Sequence, residues 1–180
     1  AIPYPLRFRV RKPPASRRLV GQNSGMSFRI TALDPAPFRS LFALDDAALA
    51  AAGARRVVAD AKPGFPCRVS LADAEPGDTL ILVNYEHLRG DTPYRATHAI
   101  YVRENAVRAE PAPGEVPEVL RRRLLSVRAY GTDQMMRDAD VIDGEDAAAT
   151  LTRMFADPEV AFVHLHNAKP GCYAARANRA

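Results

Sequence analysis

Between the turn Glu75-Pro-Gly-Asp78 and a polar loop over residues 88–95 runs Thr79-Leu-Ile-Leu-Val-Asn-Tyr-Glu-His87. Its apolar half shows neither helical period nor alternation, which predicts a central strand buried on both faces. A chain with such a strand has to supply a layer on each side of it. The rest of the sequence offers short elements cut by 15 prolines and 10 glycines. The polar loop returns the chain into a second strand, Ala96-Thr-His-Ala-Ile-Tyr-Val-Arg103. Two hairpins are expected further on, over residues 124–142 around Gly131-Thr-Asp133 and over residues 160–179 around Ala168-Lys-Pro-Gly171. Earlier strands are expected over 27–31 and 55–59.

Helix signals are few and short. Asp34-Pro35 opens a helix with Phe38, Leu41 and Phe42 on one face. Asp45 or Asp46 caps an alanine-rich helix that Gly53 ends. Pro117 starts a short helix through Val119, Leu120 and Arg123. Residues 144–156 form an amphipathic helix with Ala147, Leu151, Met154 and Phe155 on one stripe, stopped by Asp157-Pro158. Short, hairpin-linked strands with three to four short helices predict a single α+β domain with a mixed, mostly antiparallel sheet. Strict strand–helix alternation is missing, which argues against a doubly wound parallel sheet.

Charge divides the chain. Residues 1–25 carry Arg7, Arg9, Arg11, Lys12, Arg17 and Arg18 and no acid, a sum of +6. The remainder holds the other 19 of 25 basic groups against all 21 acidic ones, a net of −2. A basic N-terminal arm, 1–25, is therefore expected ahead of the domain at 26–180, with Met26 as a candidate natural start. A mildly acidic domain lacks the basic face that nucleic-acid binding needs. No apolar run approaches the roughly 20 residues of a membrane helix, and no secretory signal is evident, so the expectation is a cytoplasmic protein. A small-molecule ligand and a homodimer are the partners compatible with this composition. Arg outnumbers Lys 22 to 3, and there are 32 alanines, a bias typical of GC-rich bacterial genomes. In such a chain the rare residues carry the functional information.

Those rare residues cluster. Ala61-Lys62-Pro63-Gly64 leads to Cys67, and Ala168-Lys169-Pro170-Gly171 leads to Cys172. Both cysteines, and both lysines outside the arm, fall in these two turns. An ammonium near a thiol favours the thiolate, the form that acts as nucleophile or ligand. The plainer reading is a pair of chain-reversing turns, each followed by a small buried cysteine. A second signal is Ala161-Phe-Val-His-Leu-His-Asn167, where period two puts His164 and His166 on one face. Imidazoles two residues apart on a strand lie roughly 6.5–7 Å apart and can lean over one metal, zinc or iron. Further ligands would come from His87, His98, Glu86 or a cysteine, with His87 and His98 sharing a face if they pair across their hairpin. The plainer reading puts both histidines on the wetter face of an edge strand. A third arrangement joins the first two, with Cys172 or Cys67 as nucleophile, His164 as base, Lys62 or Lys169 as the activating cation, and Asn167 as orienting or oxyanion group. If Asn167 faces Cys172 across their loop, the sulfur lies on the Leu165 side, away from the histidines; a one-residue slip reverses this. The Arg121-Arg122-Arg123 run reads as a solvated helix end. Phosphate-loop, dinucleotide and serine-hydrolase motifs are missing.

Several of these stretches together resemble a bacterial family of unassigned activity, domain-of-unknown-function family 1203. The resemblance rests on Lys62-Pro-Gly-Phe-Pro-Cys-Arg-Val-Ser-Leu71, Asp73-Ala-Glu-Pro-Gly77, Asn84-Tyr-Glu-His87, Pro93-Tyr-Arg95 with Ile100-Tyr-Val-Arg103, and His164-Leu-His-Asn167 with Gly171-Cys172. It implies a single domain from Met26 onward and carries no established catalytic residues. It favours the trio Cys67, Cys172 and His164 over an obligatory four-histidine metal site. The leading expectation is thus a small thiol-dependent enzyme or redox-responsive protein. The alternatives are a non-catalytic ligand-binding or protein-interaction module and a metal-binding protein built on the His-x-His pair.

Overall fold

The computed structural model describes residues 27–180, and the basic arm lies outside the described residues. The chain forms β1 (Phe28–Thr31), a 3-10 helix (Ala36–Ala43), α1 (Asp46–Ala51), β2 (Ala54–Val58), β3 (Pro66–Cys67), β4 (Ala72–Asp73), β5 (Thr79–Leu88), β6 (Ala96–Arg103), α2 (Glu118–Arg121), β7 (Leu124–Tyr130), β8 (Met136–Asp143), a 3-10 turn (Gly144–Asp146) running into α3 (Ala147–Phe155), β9 (Phe162–Asn167) and β10 (Tyr173–Arg179). The class is α+β, as the pattern of short hairpin-linked strands predicts. Among the described residues, no helix is long and apolar enough to cross a membrane.

The expected sheet is two sheets of five strands. One has the order β1-β10-β9-β7-β8, and the other β2-β5-β6-β3-β4. Every pairing is antiparallel except the single parallel bridge of β3 to β6, Cys67 with Tyr101. The predicted hairpins β5–β6, β7–β8 and β9–β10 all form.

Alternation along the strands decides what lies between and behind the sheets. In the first sheet Leu125, Val127 and Ala129 of β7 stand opposite Asn167, Leu165 and Val163 of β9. The apolar members of this face bury against Leu151, Met154 and Phe155 of α3 and Leu120 of α2, forming the larger core. The stripe Ala147, Leu151, Met154 and Phe155 read from the sequence is buried in full. In the second sheet Ile81, Val83, Ile100 and Val102 point inward with Phe38 and Leu49. Tyr173, from β10 of the first sheet, belongs to that second core and joins the two layers.

Asp45 caps α1, its carboxylate accepting from the Ala48 amide at 2.8 Å. Gly144 is demanded by space. A Cβ there would fall on the carbonyl oxygen of Leu120 and lie 2.6 Å from that of Arg121. Both are backbone atoms of the α2 end and cannot swing aside. Gly144→Ala is therefore expected to destabilise the fold by about 3 kcal/mol, within the overpacking range. For a chain of this size that is a loss of roughly 10 °C in melting temperature, readable by thermal denaturation.

Candidate functional site

β9 is the middle strand of its sheet and is buried along its whole length. Its odd residues face the larger core. Its even residues, His164 and His166, face the second sheet and are 1 % and 0 % exposed. The edge-strand, wet-face reading of these histidines is thereby corrected: β9 has a strand on each side and a layer on each face.

β5 and β6 bring the other two histidines of the chain to the same place. His98 lies opposite Tyr85, and His87 sits two residues further along, in an irregularity of the ladder between Glu86 and Leu88. The two share a face without pairing directly. Their rings stack with centroids 4.7 Å apart. The His87 ring also stacks on Tyr173 at 5.0 Å and meets His164 and His166 edge-on at 5.2 and 5.0 Å. All four histidines thus converge between the sheets.

The nitrogen positions are specific. His98 Nδ1 is 2.7 Å from His87 Nε2, and His87 Nδ1 is 3.3 Å from His164 Nδ1. His166 Nδ1 lies 3.1 Å from the carbonyl oxygen of Gly171. A carbonyl only accepts, so that nitrogen carries the proton. Burial, reinforced by Arg128, pushes His166 down to about 3, so its ring is neutral at pH 7. Its Nε2 is then a lone pair, and this buried atom has no hydrogen-bond partner among the described residues. Burial, with the neighbouring His98, lowers His87 to about 4, and burial, with His87 and His166, lowers His164 to about 2. His98 is lowered too, by burial first and Arg128 second. One nitrogen each of His87, His98 and His166 lies within 4.8 Å of the other two. His164 stands behind His87.

The thiols divide differently. Cys67 is 1 % exposed, and its sulfur accepts from the Ser70 and Arg103 amides at 3.5 and 3.3 Å. It is a packed core residue. Cys172 is half-buried, and its sulfur is contacted by the Arg68 guanidinium at 3.0 Å and the Asn167 side-chain amide at 3.3 Å. The Asn167 backbone amide also donates to the Cys172 carbonyl at 2.9 Å. Asn167 therefore faces Cys172, and the sulfur lies away from His164, whose hydrogen-bond partner is His87. The cation against the sulfur is an arginine. Lys62 pairs with Glu75, and Lys169 lies in the loop beside Cys172.

The two Lys-Pro-Gly loops do meet. Gly64 and Pro66 from one, and Ala168, Lys169, Pro170 and Cys172 from the other, line a cleft of 580 Å³. His98 reaches this cleft, so the cleft and the histidine cluster share a wall. Arg68 and Asn167 complete the floor. Sequence reasoning missed Arg68, since one arginine among 22 carries no signal beyond standing next to Cys67.

The fold and site define a two-sheet α+β protein with a buried histidine cluster at the join of the sheets and a thiol-bearing cleft beside it. The family described as a protein of unknown function, DUF1203, matches residues 64–179, and the chain belongs to this family. The match takes in all four histidines and both cysteines. No curated protein and no solved structure matches the chain.

The depressed histidines set a pH dependence. The unfolded chain takes up protons near 6.5, and the folded chain resists until far lower pH. Stability from His164 and His166 is therefore complete above about pH 6.5 and falls as the pH drops, by up to about 1.4 kcal/mol per pH unit for each group. In metal-free buffer, denaturant unfolding between pH 7 and 4.5 should show this slope. His164→Gln should lessen it by up to about 1.4 kcal/mol per pH unit, the share of one group; an unchanged slope would mean that His164 is not held neutral.

Proposed function

We propose that this protein holds a single first-row transition-metal ion on His87, His98 and His166, with its remaining coordination open toward the cleft. One observation carries the reading: His166 Nε2 is buried and without a partner among the described residues, while Gly171 holds the Nδ1–H, and one nitrogen of the same ring lies within 4.8 Å of His87 and His98. A metal-bound histidine typically donates its second nitrogen to a carbonyl or another acceptor, which fixes the tautomer. Gly171 does this for His166, and His164 Nδ1 is placed to do it for His87. Neutral imidazole is the form that ligates, and burial keeps all four rings neutral. Ligand nitrogens around tetrahedral zinc lie about 3.3 Å apart, given Zn–N of about 2.0–2.1 Å. The cluster brackets that spacing, with the His98–His87 pair at 2.7 Å and every pair within 4.8 Å, so small ring shifts would seat an ion. His98 Nδ1 and His87 Nε2 make a hydrogen bond, and an ion held by both nitrogens would take the place of its proton.

Three nitrogen donors without a thiolate suit zinc, copper, iron or nickel, and a three-ligand set leaves room for water or a ligand. The ligand set contains no carboxylate and Arg128 acts on it electrostatically, so the ion keeps its charge and favours an anion, such as hydroxide, in the open position. The function this supports is metal-dependent binding or catalysis on a molecule held in the cleft.

The test is metal content and cobalt substitution. Protein purified without chelator should carry about one equivalent of metal by mass spectrometry, and the apo form should take up one Co²⁺ with visible d–d absorption. His98→Ala and His166→Ala should abolish that absorption, while His164→Leu should weaken affinity by about 10–100-fold as an outer partner of His87. A protein with no stoichiometric metal, no cobalt spectrum and no thermal shift with Zn²⁺ would end the proposal.

A further inference from the structure

The floor of the cleft contains a buried charge without a counter-charge. Arg68 is 2 % exposed. Its Nε donates to the Tyr173 carbonyl at 2.8 Å, one terminal nitrogen donates to the Pro66 carbonyl, and the other lies 3.0 Å from Cys172 Sγ. No carboxylate touches it among the described residues. Burial pushes the guanidinium down from its ordinary value, but an arginine remains charged in a folded protein. A buried charge of this kind calls for a negative partner.

The rest of the lining points the same way. Lys169, Arg122 and Arg123 line the cleft, and no aspartate or glutamate does. Arg123 is neutralised by Asp73 through two bonds of 3.0 and 2.6 Å, and Arg122 pairs with Glu118 at the surface. Among the described residues, Arg68 and Lys169 are left as the lining cations available to a guest. Asn167, 6 % exposed, turns its amide nitrogen to the sulfur, and its Oδ1 is buried with no partner. That oxygen asks the guest for a donor. The sulfur of Cys172 lies among these groups.

We infer that this cleft takes a small organic anion carrying a hydrogen-bond donor and an electrophilic carbon, and that Cys172 is the nucleophile that attacks it. The anionic group sits against Arg68 and Lys169, and the donor meets Asn167 Oδ1. In the covalent step the thiol proton passes to solvent, the sulfur lone pair forms the S–C bond, and the leaving group departs with the electrons of its bond to carbon. This reading does not depend on an ion at the histidines, because neither Arg68 nor Cys172 is among the proposed ligands.

Two alkylating reagents that differ in charge test it. Iodoacetate and iodoacetamide each transfer a two-carbon group to sulfur and release iodide. Rates at Cys172 are read by site-resolved mass spectrometry on the full chain, native and in denaturant. The native iodoacetate-to-iodoacetamide rate ratio should exceed the unfolded ratio by about tenfold or more, and inorganic phosphate should suppress the excess. Lys169→Glu, on an exposed loop, should bring the ratio back toward the unfolded value with no change in melting temperature. Arg68→Met should do the same where it folds, and Lys169→Glu decides the matter where it does not. Cys67 should stay unmodified in the native protein. A native ratio no higher than the unfolded one, or a ratio indifferent to Lys169→Glu, would overturn the inference.

Discussion

Everything distinctive about this structure depends on β9 having no wet face. A strand in mid-sheet with layers on both sides normally carries apolar residues throughout. β9 obeys on one side, where Val163 and Leu165 complete the larger core. On the other side it places two imidazoles in the same dryness. Water cannot satisfy them there, so their polar atoms have to find each other, a carbonyl or a guest. The crowding of four rings follows from that constraint, and so does their neutrality. Tyr173 walls the cluster on one side and packs on Tyr85 of the other sheet, so the wall is also a contact by which one sheet packs on the other.

Arg68 plays the matching part on the cleft side. It follows β3 of one sheet and donates to the first residue of β10 in the other. Its planar fork reaches three acceptors from two segments, Pro66 on one side and Cys172-Tyr173 on the other, a geometry a lysine does not reproduce. The residue that supplies positive charge to the cleft is thus also a tether between the sheets, which explains how so polar a side chain is tolerated at that depth.

Local elements were legible because their causes are local. The turn at 75–78 announces the start of β5, the polar loop at 88–95 and the turns at 131–133 and 168–171 announce the hairpins, and the stripe from Ala147 to Phe155 announces α3. The division into two sheets was not legible. It depends on β10 pairing with β1 across almost the whole chain and on β3 and β4 closing the other sheet beside β6, and neither pairing leaves a local pattern. The histidines illustrate both sides. That His164 and His166 share a face follows from period two alone. That His87 joins His98 does not follow from hairpin register, because an irregularity at Glu86–Leu88 intervenes. The register between Asn167 and Cys172, open in the sequence, is settled by one backbone hydrogen bond, and it parts the thiol from His164. Residue scarcity drew attention to the thiols and histidines but was blind to Arg68, because scarcity ranks residue types and Arg68 belongs to an abundant one.

His98 stands in two places at once, with one face in the imidazole cluster and one on the cleft wall. Two binding events that share a side chain are not independent. An ion that fixes the ring of His98 fixes part of the surface a guest anion meets, and adds a positive charge behind it. By thermodynamic reciprocity, whatever factor the ion contributes to the anion's affinity, the anion returns to the ion's. Were the proposed ion and anion both to bind, the cleft and the cluster would report on each other's occupancy through one imidazole, without any movement of the sheets.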